Sequence, residues 1–130
     1  MDLRQYQKSD AAKLYGLLVR DSDWTLYTQN GSWNEYVKVL DDSKSLLLVE
    51  KDEVIGFIRY RLDGPFGVYI YDLLVDKKHR GHSYGKRLID AVCLAHPHDD
   101  IYVMSDNNVY YQKIGLSTEG IVFRVQSADK

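Results

Sequence analysis

Apolar positions along this chain fall into two rhythms, short dense runs and one spaced helical stripe, and their order sets out the elements. SLLLVE at residues 45–50 and VIGFIRYR at 54–61 are strand-like runs joined by Lys51, Asp52 and Glu53, short enough for an antiparallel hairpin. Asp63, Gly64 and Pro65 turn the chain again, and GVYIYDLLV at 67–75 predicts a third strand. Its end, Leu73, Leu74 and Val75, is apolar without alternation, as expected where both faces are covered. Further on, Tyr84, Leu88, Ala91, Val92 and Ala95 recur at i, i+4, i+7, i+8 and i+11, one face of a helix that Pro97 ends.

The flanks carry shorter signals. Residues 2–6 predict a first strand, and Ser9 offers a side-chain oxygen to cap a helix running to Val19. RDSDWTLYTQNGS at 20–32 is polar with embedded aromatics and predicts a loop, followed by a short helix over 33–40. IYVMS at 101–105 predicts a buried strand, Asn107 or Asn108 caps a short helix through Lys113 that Gly115 stops, and IVFRVQ at 121–126 predicts a last strand. The order is strand, helices, three antiparallel strands, helix, strand, helix, strand, a mixed α/β layer rather than a doubly wound sheet.

Composition narrows the class. A chain of 130 residues, 45% hydrophobic and 28% charged, with no repeat or low-complexity tract, predicts one domain over residues 1–130. No apolar segment approaches the roughly 20 residues that cross a bilayer, and MDLRQYQKSD lacks the apolar stretch of a secretory signal, so the expected address is cytoplasmic. The single cysteine, Cys93, falls inside the helical pattern and is expected to be a buried thiol.

Charge is uneven. Lys77, Lys78, Arg80, Lys86 and Arg87 cluster together, and setting these five aside from the chain's 17 basic residues leaves 12 against 19 acidic elsewhere. A local cation on an acidic body suits a small anion better than a long polyanion, so neither nucleic acid nor membrane is an expected partner. The cluster lies in VDKKHRGHSYGKRLID, residues 75–90, where a strand passes through a glycine-bearing turn into a helix. That geometry leaves first-turn N–H groups without intrahelical partners and aims the positive end of the helix dipole at the turn, which binds phosphate. The Walker A spacing fails, because Gly81 and Gly85 are one residue too close and Arg87 stands where a magnesium-binding hydroxyl belongs. The dinucleotide pattern fails too, since His82 and Ser83 interrupt it. Taken alone, the segment also fits a solvated basic loop.

Two stretches together carry a resemblance. IYDLLVDKKHRGHSYGKRLID resembles the acetyl-CoA motif of the GNAT superfamily of N-acetyltransferases, with R-G-H-S-Y-G at 80–85 standing for [QR]-x-x-G-x-[GA]. NNVYYQKIGL at 107–116 resembles that family's aromatic-Tyr-x-x-x-Gly-apolar signature. Ser83 departs from the pattern at the position of its first glycine. The resemblance implies an α/β fold of the α+β type, a mixed, mostly antiparallel central sheet of about six to seven strands flanked by about four helices. It implies transfer of acetyl from acetyl-CoA, as co-substrate, to a primary amine on a small molecule or peptide.

What the resemblance implies can be placed on this sequence. Main-chain amides of Arg80, Gly81, His82, Ser83, Tyr84, Gly85 and Lys86 would hold the pyrophosphate, with Arg80, Lys86, Lys77 or Lys78 meeting its charge. Leu73, Leu74 and Val75 would pair with the pantetheine arm as an added strand does, in a slot opened where this strand splays from residues 101–105, and Asn107 would lie on the same ligand. The Leu73 N–H would face the thioester carbonyl, and Tyr111 would be the general acid. In that layout Asp21, Asp23, Trp24 and Tyr27 cover the acceptor side, where acidic and aromatic groups suit a cationic amine.

The remaining readings are plainer. Tyr69 and Tyr71 share one face of their strand and point to the acceptor side, while Asp72 points the other way unless a bulge re-aims it, so a water relay is expected as the base. Cys93 lies away from such a site, which favours direct attack in a ternary complex over an acetyl-cysteine route. His79, His82, His96 and His98 lack the further ligands of a metal site, and no metal is expected. Eleven tyrosines spread over every element suit strand and core filling better than a stacking platform. Two alternatives stay open: a non-catalytic CoA-binding regulatory module, and an RNA-binding domain using residues 77–87.

Overall fold

The structure is a computed structural model that describes residues 1–126. Five strands form one sheet in sequence order: β1 (Asp2–Gln5), β2 (Lys44–Glu50), β3 (Glu53–Leu62), β4 (Val68–Val75) and β5 (Ile101–Val103). The first four pair antiparallel, and β5 joins β4 in parallel. Between β1 and β2 run α1 (Ala11–Val19), a 3-10 segment (Ser22–Tyr27) and α2 (Ser32–Asp41); α3 (Tyr84–Ala95) links β4 to β5, and α4 (Asn108–Lys113) follows β5.

The apolar runs of β2 and β3 are unbroken because helices cover both faces. Leu46, Leu48, Ile55 and Ile58 pack with Leu88, Ile89 and Val92 of α3, whereas Leu47, Val54 and Phe57 pack with Leu14, Leu17 and Leu18 of α1 and with Tyr36 and Leu40 of α2. The β2–β3 hairpin turns on two residues, not three: Lys51 and Asp52 both take positive φ, 50° and 65°, the requirement of a turn whose twist matches its strands.

The order of elements is the one the hydrophobic pattern predicts, with several corrections. Among the described residues the sheet has five strands rather than six or seven. IVFRVQ is no strand: residues 121–126 run off the sheet with Ile121, Val122, Phe123 and Val125 each at least 73% exposed. β propensity makes a strand only where a partner edge and a covering face exist. The end of the expected domain, residues 127–130, lies outside the described residues. Ser9 does not cap the first helix; the chain enters through a 3-10 turn, Lys8–Asp10, in which the Asp10 carboxylate accepts the Gln7 N–H at 2.8 Å and both Arg4 amino groups at 2.7 and 2.8 Å. That bidentate pair holds the Asp10 carboxyl below its ordinary range. Cys93 is exposed, because the buried stripe of α3 runs through Leu88, Ile89 and Val92 and leaves the next position facing solvent.

Two irregularities of β4 shape the centre of the molecule. Arg59 pairs with Asp72 but Tyr60 pairs with Ile70, so Tyr71 is an extra, bulged residue. And β5 pairs only with Val68, Tyr69 and Ile70, leaving the stretch from Leu73 to Val75 with one edge unpaired by any strand among the described residues.

Candidate functional site

After β4 the Asp76 carboxylate accepts the Lys78 N–H and turns the chain through Lys77–His79. Arg80 is extended, Gly81 has φ 87° and Ser83 has φ 62°, and α3 begins at Tyr84. The Arg87 N–H is donated to the Ser83 carbonyl, so the amides of Tyr84, Gly85 and Lys86 precede the helical ladder and face the turn. Residues 80–83 are exposed, which leaves this positive end of a twelve-residue helix open. Serine at a left-handed φ costs about 1 kcal/mol that glycine would not.

Three of the cations around the turn are already engaged. Arg80 donates Nε to the Val75 carbonyl at 3.1 Å and Nη2 to Asp21 Oδ2 at 3.0 Å, Lys77 Nζ lies 4.0 Å from Asp21 Oδ1, and Lys86 pairs with Asp90 at 2.9 Å. His82 is exposed with its ring 5.4 Å from that of Tyr84, and Gly85 is buried. The closeness Gly85 provides is to a side chain: a Cβ there would land on the Tyr110 hydroxyl and come within 3.9 Å of Leu73 Cδ2. A hollow beside the turn, lined by Glu50, Lys51, Glu53, Ile55, His79, His82 and Tyr84, lies toward the β2–β3 hairpin rather than along the open edge of β4.

That edge is the second part. The Val75 carbonyl points outward, where Arg80 meets it, while the Asp76 N–H points inward to the Ile55 carbonyl at 2.8 Å. Alternation therefore places the main-chain groups of Leu73 on the outward edge and those of Leu74 toward β3. Across from Leu73, α4 supplies Tyr110 and Tyr111, whose rings meet edge to face at 5.2 Å. Asn107 accepts the Tyr110 N–H at 3.2 Å and so caps α4. Tyr111 is 9% exposed, and burial, then Asp106, Tyr110 and Asp72, push its phenol well above the ordinary tyrosine range. It keeps its proton at neutral pH.

On the opposite face of β4 the sequence-predicted acceptor residues divide. Asp21 is buried, held by Arg80 and accepting the Asp23 N–H at 3.0 Å, and Trp24 is buried against Phe57. Asp23 is exposed, Tyr71 is 41% exposed, Tyr69 stacks on Tyr102 at 5.2 Å, and Tyr27 donates to Asp72 Oδ1 at 3.3 Å. The bulge does re-aim Asp72. Its buried carboxylate accepts from Arg59 Nε and from the Tyr36 hydroxyl, both at 2.6 Å, a cluster beside Leu73 that sequence reasoning missed. The signal was present: Arg59 and Asp72 are opposite charges in two neighbouring, largely apolar strands, and such groups are almost never fully buried unless paired. Among the described residues, no three His, Cys, Asp or Glu side chains group as a metal site, and no helix is long and apolar enough to cross a membrane.

Main-chain amides at a helix N-terminus are a general means of accepting an anion, and a strand edge without a partner is a general means of pairing with an amide-bearing ligand. A sequence model of the Acetyltransferase (GNAT) family matches residues 9–113, and the chain belongs to that family. No curated protein matches it by sequence. Among solved structures, an integron cassette protein from the mobile metagenome of V. cholerae is 19% identical with TM-score 0.76, over 98% of this chain and 93% of that one. An aminoglycoside acetyltransferase from an uncultured soil metagenomic sample is 24% identical with TM-score 0.72, over 98% of each chain. An aminoglycoside N-acetyltransferase solved in complex with CoA is 16% identical with TM-score 0.76, over 98% of this chain and 94% of that one. At these identities the likeness is one of fold.

Proposed function

We propose that the chain transfers acetyl from acetyl-CoA to a primary amine by direct attack in a ternary complex. The observation that carries this reading is the turn at 80–86, exposed from Arg80 to Ser83 at the N-terminus of α3, lying beside the outward edge of β4 at Leu73 and Val75, which no strand pairs among the described residues. The turn amides meet the diphosphate, the edge pairs with the pantetheine amides, and the Leu73 N–H meets the thioester oxygen as negative charge develops there. The amine nitrogen bonds to the carbonyl carbon and the C–S bond breaks. The departing sulfur takes the Tyr111 phenolic proton, the amine proton leaves through water, and Tyr111 regains a proton from solvent. In this reading the half-buried Tyr27 and the exposed Tyr71 ring line the acceptor side, and Asp23 offers an exposed carboxylate for a cationic amine.

Isothermal titration with acetyl-CoA, followed by turnover against an amine panel, tests this. The expected result is a Kd of about micromolar order with turnover on at least one amine. Binding without turnover reduces the protein to a CoA-binding module, and RNA binding undisturbed by CoA overturns the reading altogether. Tyr111→Phe is expected to lower kcat by about 100-fold with little change in CoA affinity.

A further inference from the structure

We infer that Asp72 is a positioning residue: by locking onto Arg59 and Tyr36 it fixes the register of β4 beyond the bulge, and with it the outward direction of the Leu73 N–H. The inference rests on the proposed acetyl-CoA reading for the use of that N–H, though not for the register itself.

In a strand, residue parity sets two things at once, the face a side chain takes and the edge its N–H and C=O address. Val68 and Ile70 pack into the α3-side core. Strict alternation would send Asp72 into that same apolar cluster and would turn the Leu73 amide inward to β3. The extra residue at Tyr71 reverses both: Leu73 and Val75 now pack on the α3 side, while Asp72 and Leu74 face α1 and α2.

What selects the bulged register is the fate of the carboxylate. Slipped by one position, Asp72 would turn into the apolar cluster of Ile70, Leu88 and Val92 and lose Arg59 and Tyr36, and a buried carboxylate that loses its partners costs far more than a hydrogen-bonded one. In the observed register it accepts two 2.6 Å hydrogen bonds, from Arg59 and Tyr36, and a longer one from Tyr27. Arg59 is held in turn: Nη1 donates to Ser43 Oγ at 3.1 Å, and its guanidinium lies 5.3 Å from the ring of Tyr71, the bulged residue itself. Use of a buried ionic group to set register is its best-attested role.

The test follows the acetyl carbonyl. With [1-13C]acetyl-CoA bound to the wild type, infrared spectroscopy is expected to give a narrow carbonyl band lowered by the Leu73 hydrogen bond. In Asp72→Asn the band is expected to broaden and lose at least half of that lowering, while the Kd for CoA, which lacks the acetyl group, stays within about threefold. Tyr36→Phe keeps the ion pair, and is expected to move the band in the same direction by less. An unchanged band in folded Asp72→Asn, or in Tyr36→Phe if Asp72→Asn does not fold, overturns the inference. Failure of the wild type to bind acetyl-CoA overturns the proposed function instead. The register is then read without ligand, from the Leu73 amide 15N resonance, which is expected to move in both variants and which overturns the inference if it stays in place.

Discussion

The turn at 80–86 and the cluster around Asp72 both manage charge, and they do it in opposite ways. The turn is exposed from Arg80 to Ser83 and made of main chain; its cations are long, half-exposed side chains, Lys86 paired with exposed Asp90 and Arg80 reaching down to buried Asp21. The cluster is buried and made of side chains, with Arg59 and Asp72 at 7% and 4% exposure and hydrogen bonds of 2.6 Å. Lys86 can exchange the exposed Asp90 carboxylate for an incoming phosphate at little cost, since exposed pairs contribute about 0–1 kcal/mol, whereas Arg80 is tied to the buried Asp21. A buried carboxylate cannot exchange anything without unfolding its surroundings. The turn is therefore suited to bind, and the cluster to hold geometry.

The difference breaks most sharply under Asp72→Ala, which leaves the Arg59 guanidinium buried and unpaired. Loss of about 3–5 kcal/mol is expected in urea unfolding. Alkaline pH acts next, chiefly through phenols that the fold buries. Burial raises the phenols of Tyr6, Tyr36, Tyr60, Tyr110 and Tyr111, and Asp72 raises Tyr36 further. The folded chain holds these protons more tightly than the unfolded one. Stability is then full below about pH 10 and falls as pH rises past it, a decline that denaturant midpoints on either side of that pH will show. The smallest effect is at the turn, where Ser83→Gly relieves the left-handed serine and is expected to stabilise by about 0.5–1 kcal/mol, measured as a rise in urea midpoint. Destabilisation there would mean that the serine side chain contributes more than its backbone costs.

The two regions were also unequally legible in the sequence. Glycines, charge and helix periodicity are local signals, so the turn, α3 and the strand order from β2 to β4 could be placed from residues 45 to 97 alone. Asp72 could not. Its direction depends on one extra residue opposite Arg59, and its partner Tyr36 lies 36 positions away on α2. Strand propensity at 121–126 misled because pairing is decided by whether an edge and a covering face are near, which no local pattern records. Cys93 misled for a narrower reason: one step along a helix turns a residue through about 100°, enough to leave the core.

The central claim is that main-chain amides of the turn receive the diphosphate. An amide 1H–15N titration of the whole chain with CoA tests it most directly. Saturable shifts concentrated on Gly81 to Lys86 and on Leu73 and Val75 are the expected outcome, with inorganic pyrophosphate moving the turn amides alone. Shifts centred elsewhere, or a turn that stays still while CoA binds, would contradict it.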